Sequence, residues 1–290
     1  MNFYSDITIT SNVLKTLTDK KIKASFFDKY GNLIGCFVPE TNHKDTAVLL
    51  KQCERYQDPK ERLKMARLME LAGLHNMRAN IRYYNKRKDL SYYVEALSQC
   101  ISELNQGNSV EELLLIEARA RQKYYSFFNE ILSNHDFVFI KRSRRPPMDE
   151  LNAMISFGNT LLYNQFLQQI WKTSLDPRIS IVHASNRRNY SLNLDFADIF
   201  KPVIVDRVIF TLINCQQIKK DDHFEKNENG GIYLNKAGKK IFLEEFGEKL
   251  GTEIAIKGKT YTYRKLMEQE VRQYFKFVIY GEEYRPYKYY

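Results

Sequence analysis

Glu117, His183, Asp195 and Asp198 are the residues of this chain whose types and spacing could do chemistry. His183 follows a short apolar run over residues 179–182, and Asp195 and Asp198 stand three apart in Leu194-Asp-Phe-Ala-Asp-Ile-Phe200. On a helix that spacing puts both carboxylates on one face, while Leu194, Ala197 and Phe200 contribute to a buried side. Glu117 lies among Leu115, Ile116 and Ala118, where a carboxylate needs a partner: an arginine, a helix terminus or a metal. Glu117, His183 and Asp198 lie on separate elements, as the ligands of a catalytic metal usually do. Two carboxylates and one imidazole with no thiolate suit Mg²⁺ or Mn²⁺ rather than structural zinc, and the imidazole tilts the choice towards Mn²⁺. Such a set leaves positions open for water and a phosphate oxygen, as phosphodiester chemistry requires. Each residue also has a structural explanation: Glu117 as half of a buried ion pair, His183 as a hydrogen-bonded core histidine, the aspartates paired with Arg187, Arg188 or Arg207. Residue types alone leave both readings open.

The surroundings are basic. Lys141-Arg142-Ser-Arg144-Arg145 runs into Pro146-Pro147, whose fixed backbone gives a rigid turn, and Asp149 can cap the helix that follows. Four cations in five residues suit phosphates, and a solvated loop predicts the same composition. Over 290 residues Lys and Arg number 45 against 35 Asp and Glu, a net charge of +10 that favours nucleic acid or an anionic membrane surface as partner. The cysteines (Cys36, Cys53, Cys100, Cys215) form no CxxC pair, which fits neither a disulfide framework nor a zinc site and implies a reducing cytoplasm. No secretory leader pattern and no apolar run near ~20 residues is present, so a soluble cytoplasmic protein without membrane association is expected.

The elements that must position these residues follow an α+β plan: a small N-terminal β-sheet domain followed by a large, mostly α-helical catalytic domain. Strands are expected over residues 3–9, 22–27 and 33–38, with a short helix over 12–20 and a turn at Asp28-Lys-Tyr-Gly31-Asn. From Thr46 the period becomes helical, and the boundary is placed between residues 1–57 and 58–290. Pro59 opens a helix towards Tyr84, and another runs over 91–104. Ser109 caps one long helix over 110–132, and a further helix spans 151–171. Small residues at Ala153, Ser156 and Gly158 allow close approach of another backbone, for packing or for a bound polymer. Pro202 ends the helix carrying Asp195 and Asp198. Residues 219–231 read as a polar, mobile segment closed by Asn229-Gly230-Gly231, and helices are expected over 241–250 and 260–277. In the last of these Arg264, Lys265, Arg272 and Lys276 alternate with Tyr263, Tyr274 and Phe275, and residues 281–290 read as a disordered tail.

Three motifs in this order carry a resemblance: Glu117-Ala-Arg-Ala-Arg-Gln-Lys-Tyr-Tyr125, Arg142-Ser-Arg-Arg-Pro-Pro-Met-Asp-Glu-Leu-Asn-Ala-Met-Ile-Ser-Phe-Gly158, and His183 with Leu194-Asp-Phe-Ala-Asp198-Ile-Phe-Lys-Pro202 and Asp206-Arg207. The arginine-proline string is the most specific. The sequence resembles the CRISPR-associated spacer-acquisition integrase family, the metal-dependent nuclease that inserts new spacers into the array. The resemblance implies Mg²⁺ or Mn²⁺ held by Glu117, His183 and Asp198, with Asp195 as a nearby carboxylate that assists or binds DNA. Arg142, Arg144 and Arg145 would hold DNA phosphates, and Arg187 and Arg188 are counted with them. It also implies transesterification by the 3′-hydroxyl of a spacer precursor at a CRISPR repeat. Homodimers bridged by a small ferredoxin-like companion protein complete the picture. Two departures accompany the resemblance. Ala118 stands where the family usually has Gly, and the family carries several further strands ahead of the segment matching residues 3–9. A sheet with fewer strands, or a start further upstream, is therefore expected, and it bears on the dimer the family builds through that sheet. A non-catalytic DNA-binding or assembly subunit and an RNA-processing nuclease are the alternative functions.

Overall fold

The computed structural model describes residues 1–4, 6–28, 33–39, 45–183, 190–256 and 258–289. The turn expected around Gly31, and Arg187 and Arg188, lie outside them.

The chain opens with β1 (Asn2–Phe3), α1 (Ser11–Asp19), β2 (Ala24–Phe27) and β3 (Leu33–Phe37). β1 pairs parallel and β3 antiparallel with the central β2. Among the described residues of the strand expected over 3–9 only the start pairs, and the chain then runs to Thr10, whose side chain caps α1 by accepting from the Val13 N–H.

The helical part begins with α2 (Thr46–Gln57), α3 (Pro59–Asn85), α4 (Ser91–Gln106) and α5 (Val110–Ser126). Asp58 caps α3 ahead of Pro59 at the first helical position, and Ser109 caps α5 by accepting from the Glu112 N–H at 3.1 Å. The helix expected over 110–132 is two: α5 ends at Ser126 and a short α6 (Phe128–Ile131) follows. Adjacent Phe127 and Phe128 are both fully buried, packing edge-on against each other and against Phe210, and the turn between the helices permits it.

α7 (Glu150–Trp171) is buried nearly all round, which marks a central helix. Asp149 caps it as expected, accepting from the Asn152 N–H at 2.7 Å. α8 (Leu192–Phe200) and α9 (Val205–Asn214) pack on it. The small residues of α7 serve packing: a Cβ on Gly158 would lie 2.6 Å from Val205 Cγ1 and 2.9 Å from the Phe242 ring.

Residues 219–231 are ordered, contrary to expectation. α10 (Lys220–His223) leads into a hairpin of β4 (Phe224–Lys226) and β5 (Ile232–Leu234), turned by Gly230 at φ +78°. The Ile232 N–H donates to the Pro147 carbonyl at 2.8 Å, so this hairpin braces the arginine-proline turn. α11 (Lys236–Gly251) follows, then a second hairpin of β6 (Glu253–Ile256) and β7 (Lys259–Thr262), then α12 (Tyr263–Tyr280). Residues 260–262, expected to be helical, thus form part of a strand.

The tail is also built into the core. Tyr284 is 2% exposed and donates to Glu270 Oε1, while the Tyr287 N–H donates to Glu270 Oε2 at 2.9 Å. Asn76 on α3 donates to the Tyr287 carbonyl, receives the Tyr289 N–H, and Tyr287 stacks on Phe200. Aromatic bulk with two waiting acceptors holds the tail against α3, α8 and α12. No helix among the described residues is long and apolar enough to cross a membrane.

Candidate functional site

α3, α5, α8 and the loop ending at His183 meet where the sequence-predicted residues converge. α8 and α3 approach closely because α3 presents small and amide residues at helical spacing. A Cβ on Gly73 would sit 3.5 Å from the Asp198 carbonyl oxygen, while Asn76 donates to the Ile199 carbonyl at 2.7 Å and Asn80 to the Pro202 carbonyl at 3.0 Å. Pro202 lacks an N–H and helps end α8 at Phe200, and the α3 asparagines satisfy one carbonyl in its last turn, Ile199, and one just beyond it, Pro202. Asn80 also donates to the Tyr124 hydroxyl at 2.6 Å, which in turn donates to Asp206 at 2.9 Å, locking α3, α5 and α9 together.

The loop before His183 is fixed from below. Gln52, fully buried on α2, donates to the Asp176 and Ile179 carbonyls and accepts from the Asp176 N–H. Arg62 on α3 donates to the Ile181 carbonyl at 3.0 Å.

Asp195 then organises the loop. Its Oδ2 accepts from the Ser180 hydroxyl at 2.7 Å and from the Ile181 and Val182 N–H groups at 2.8 and 3.2 Å. Its Oδ1 accepts from the His183 N–H at 3.2 Å and pairs with His183 Nδ1 at 2.8 Å. A carboxylate can only accept, so Nδ1 carries a proton, and in its neutral form the ring presents the Nε2 lone pair outward. With both oxygens committed and 2% exposure, Asp195 holds the loop and the imidazole in place.

His183 Nε2 lies 3.6 Å from Asp198 Oδ2. Burial pulls the imidazole down, but the Asp195 hydrogen bond and the Asp198 charge outweigh it and hold its pKa above the ordinary value. Burial would raise Asp198, yet Lys201, Arg121 and His183 drive it well below the usual carboxylate range. Lys201 pairs with Asp198 Oδ1, and its ammonium stands 4.7 Å from the centre of the Tyr163 ring. Arg121 pairs with Glu117 one helical turn away and reaches Asp198 Oδ1 at 3.7 Å, so its guanidinium bridges the two carboxylates. Burial disfavours its charge, but Glu117 and Asp198 push its pKa well above the ordinary value.

The structure thus gathers Glu117, His183, Asp195 and Asp198 at one place. Among the described residues no three His, Cys, Asp or Glu side chains already form a metal cage, because Arg121 and Lys201 occupy the carboxylates. The donor chemistry nevertheless fits a hard divalent cation. Two carboxylates and an imidazole nitrogen stand ready, and the ring is oriented by a carboxylate on its other nitrogen, as metal-binding histidines are. The 3.6 Å between Nε2 and Asp198 is near the roughly 3 Å that separates adjacent ligands in an octahedral shell.

Arg142, grouped with the phosphate-binding arginines, is engaged otherwise. It donates to Asn152 Oδ1 at 2.7 Å and to Ser156 Oγ at 2.9 Å, pinning the basic loop to α7. Arg144 and Arg145 are exposed and make no ion pair among the described residues. Sequence reasoning missed Arg121, Lys201 and Glu70, a carboxylate on α3 that is 4% exposed beside this cluster. The Glu117/Arg121 and Asp198/Lys201 spacings of four and three on a helix were the available signal.

The family model described as CRISPR associated protein Cas1 matches residues 1–248. A CRISPR-associated endonuclease Cas1 from Thermodesulfovibrio yellowstonii is 38% identical over 287 residues, covering 98% of this chain and 86% of its own. A CAS1 protein structure from Thermotoga maritima superposes with a TM-score of 0.86 at 32% identity, over 99% of this chain and 88% of the other. Two more distant structures share the fold. A casposase bound to integration product gives 0.86 at 22% identity, over 97% and 79% of the two chains. A Cas6-RT-Cas1–Cas2 complex gives 0.82 at 21%, over 97% and 31%. From the family match and the identity across nearly its whole length, this chain belongs to the Cas1 family, whose named relatives are CRISPR-associated endonucleases.

Proposed function

We propose that the chain is a divalent-metal-dependent DNA endonuclease and integrase that joins the 3′-hydroxyl of a spacer precursor to a CRISPR repeat. The observation that carries this reading is the Asp195–His183–Asp198 arrangement, which fixes the imidazole at Nδ1 and sets its Nε2 beside a carboxylate whose negative charge is held by neighbouring cations. Glu117, His183 Nε2 and Asp198 would hold Mg²⁺ or Mn²⁺, with Arg121 yielding its place between the two carboxylates. Bound there, the cation would supply Lewis-acid stabilisation of the charge that develops on phosphate and leaving oxygen.

The chain's own residues orient and hold. Asp195 fixes the tautomer and direction of His183. Lys201 stands on Asp198 and adds positive charge beside the reacting phosphate. In the transfer, the attacking 3′-oxygen forms a new P–O bond as the bond to the departing 3′-oxygen breaks, and the proton moves from the first oxygen to the second through solvent. One phosphodiester replaces another, so no nucleotide cofactor is needed. Arg144 and Arg145 supply sequence-independent phosphate contacts. The casposase and Cas1–Cas2 neighbours support integration chemistry and a companion protein, and a homodimer bridged by a small companion is the assembly proposed.

The test is strand transfer of a short duplex with 3′-hydroxyl ends into a supercoiled plasmid carrying a repeat, with companion protein and Mn²⁺ or Mg²⁺. Joined product that requires metal and disappears in His183→Ala supports the reading. DNA binding without joining or nicking, unchanged by the substitution, would assign the chain to assembly.

A further inference from the structure

Glu70 is a buried acidic side chain. It sits on α3, 4% exposed, and among the described residues it accepts no hydrogen bond and forms no ion pair. It lies one turn before Gly73, at the face where α3 packs on α8 beside Asp198. Its electrostatic neighbours are Glu117, Asp198 and Asp195, all of its own sign, and Arg121, of the opposite sign. Burial and the first two of these carboxylates push the Glu70 acid well above the ordinary carboxylate range, and Arg121 is the charge that pulls it back.

Ionised and unpaired among three other carboxylates, Glu70 would be costly, so it keeps its proton until a cation turns to it. Arg121 presents the complementary problem. Its side chain is 12% exposed and its partners are Glu117 and Asp198, the carboxylates assigned to the cation. Once those are taken, a buried guanidinium without a carboxylate would be left behind, which is strongly unfavourable. Asp195 cannot receive it, since both of its oxygens are committed to the His183 loop. Glu70 can.

We infer that Glu70 is the reserve counterion of Arg121: when Glu117 and Asp198 take up a divalent cation, the Arg121 guanidinium turns to Glu70. The exchange keeps every buried charge paired. Glu70 gives up its proton in the exchange; once it is ionised beside Arg121, four carboxylates (Glu70, Glu117, Asp195, Asp198) stand against two permanent cations (Arg121, Lys201), a net charge of −2 with neutral His183 that one divalent ion cancels. Glu70 thus acts on metal affinity through Arg121 and not as a ligand. This rests on the metal site proposed above.

The test is a double-mutant cycle read by Mn²⁺ binding, using calorimetry and the electron spin resonance signal of free Mn²⁺, with no DNA present. Glu70→Gln should weaken Mn²⁺ binding about tenfold or more, the scale seen when an outer carboxylate of a metal site is lost. Arg121→Gln should bind Mn²⁺ at least as tightly as wild type, and adding Glu70→Gln to it should change nothing further. Glu70→Met, unbranched and of similar volume, repeats the measurement should the amide disturb folding, which thermal unfolding checks. Wild-type affinity in Glu70→Gln and Glu70→Met would overturn the inference. A tenfold loss that persists in the Arg121→Gln background would also overturn it, by placing Glu70 on the metal itself. Should wild type and His183→Ala both fail to bind Mn²⁺ at this site, the metal reading falls, and this inference with it.

Discussion

Asp195→Asn separates the positioning of His183 from everything else in the site. The substitution keeps shape and volume but turns one acceptor oxygen into a donor. Oδ2 takes three donors (Ser180, Ile181 and Val182) and Oδ1 takes two, both from His183. The amide oxygen therefore settles on the three-donor side, and the amide NH₂ faces His183. The imidazole can adapt only by moving its proton to Nε2, so that Nδ1 accepts, which removes the lone pair directed towards Asp198. The His183 N–H keeps the Ser180 hydroxyl at 3.0 Å and is not orphaned. Two consequences follow in different observables. Replacing charge-assisted by neutral hydrogen bonds costs about 3 kcal/mol of stability, from roughly 1.5–3 kcal/mol for each bond to a charged group, partly retained. Metal affinity falls about 10- to 100-fold. Urea unfolding followed by the fluorescence of Trp171, the single tryptophan, measures the first, and Mn²⁺ titration measures the second. A variant with wild-type midpoint and wild-type Mn²⁺ affinity would refute the role given to Asp195.

Three further outcomes are expected. Burial raises Glu270 from 4.5 to about 7, so the folded state holds a proton there that the unfolded chain releases. That contribution, about 3 kcal/mol, is present below pH 4.5 and is lost as pH rises through 7. Unfolding midpoints measured from pH 5 to 8 should fall less steeply in Glu270→Gln, with the remainder shared by Asp206, likewise raised by burial to about 7, and by His183 and Glu70, whose pKa values are also raised. Gly158→Ala should destabilise by about 1–3 kcal/mol through overpacking against Val205 and Phe242, and a wild-type melting temperature would contradict the packing described. Removing Arg144 and Arg145 together should lower the slope of log affinity for duplex DNA against log salt by about 2 and leave stability unchanged, whereas Arg142→Ala should lower stability.

The parts of this molecule legible in the sequence are those fixed by local rules. Pro59 after Asp58, Ser109 before Val110 and Asp149 before Glu150 mark helix starts because each cap satisfies orphan donors within one turn. The three-residue spacing of Asp195 and Asp198 places both beside His183 for the same reason. What escaped depends on partners far along the chain. The tail over 281–289 looks unstructured alone, and it is ordered by Glu270 and by Asn76, more than two hundred residues from Tyr289. The hairpin of β4 and β5 reads as polar and is held by Pro147. Arg142 was indistinguishable from Arg144 and Arg145 in composition, and only Asn152 and Ser156 separate them. Glu70 gave no signal at all, since its meaning comes from the charges around it and not from its neighbours in sequence.

The central claim is that Glu117, His183 and Asp198 hold one divalent cation in place of the Arg121 bridge. Crystals soaked in Mn²⁺ and measured at the manganese absorption edge test it directly. One anomalous peak flanked by Glu117, His183 Nε2 and Asp198 is expected, with Arg121 turned away from Glu117. A map without a peak there, with the Glu117–Arg121 pair intact at saturating Mn²⁺, would contradict it.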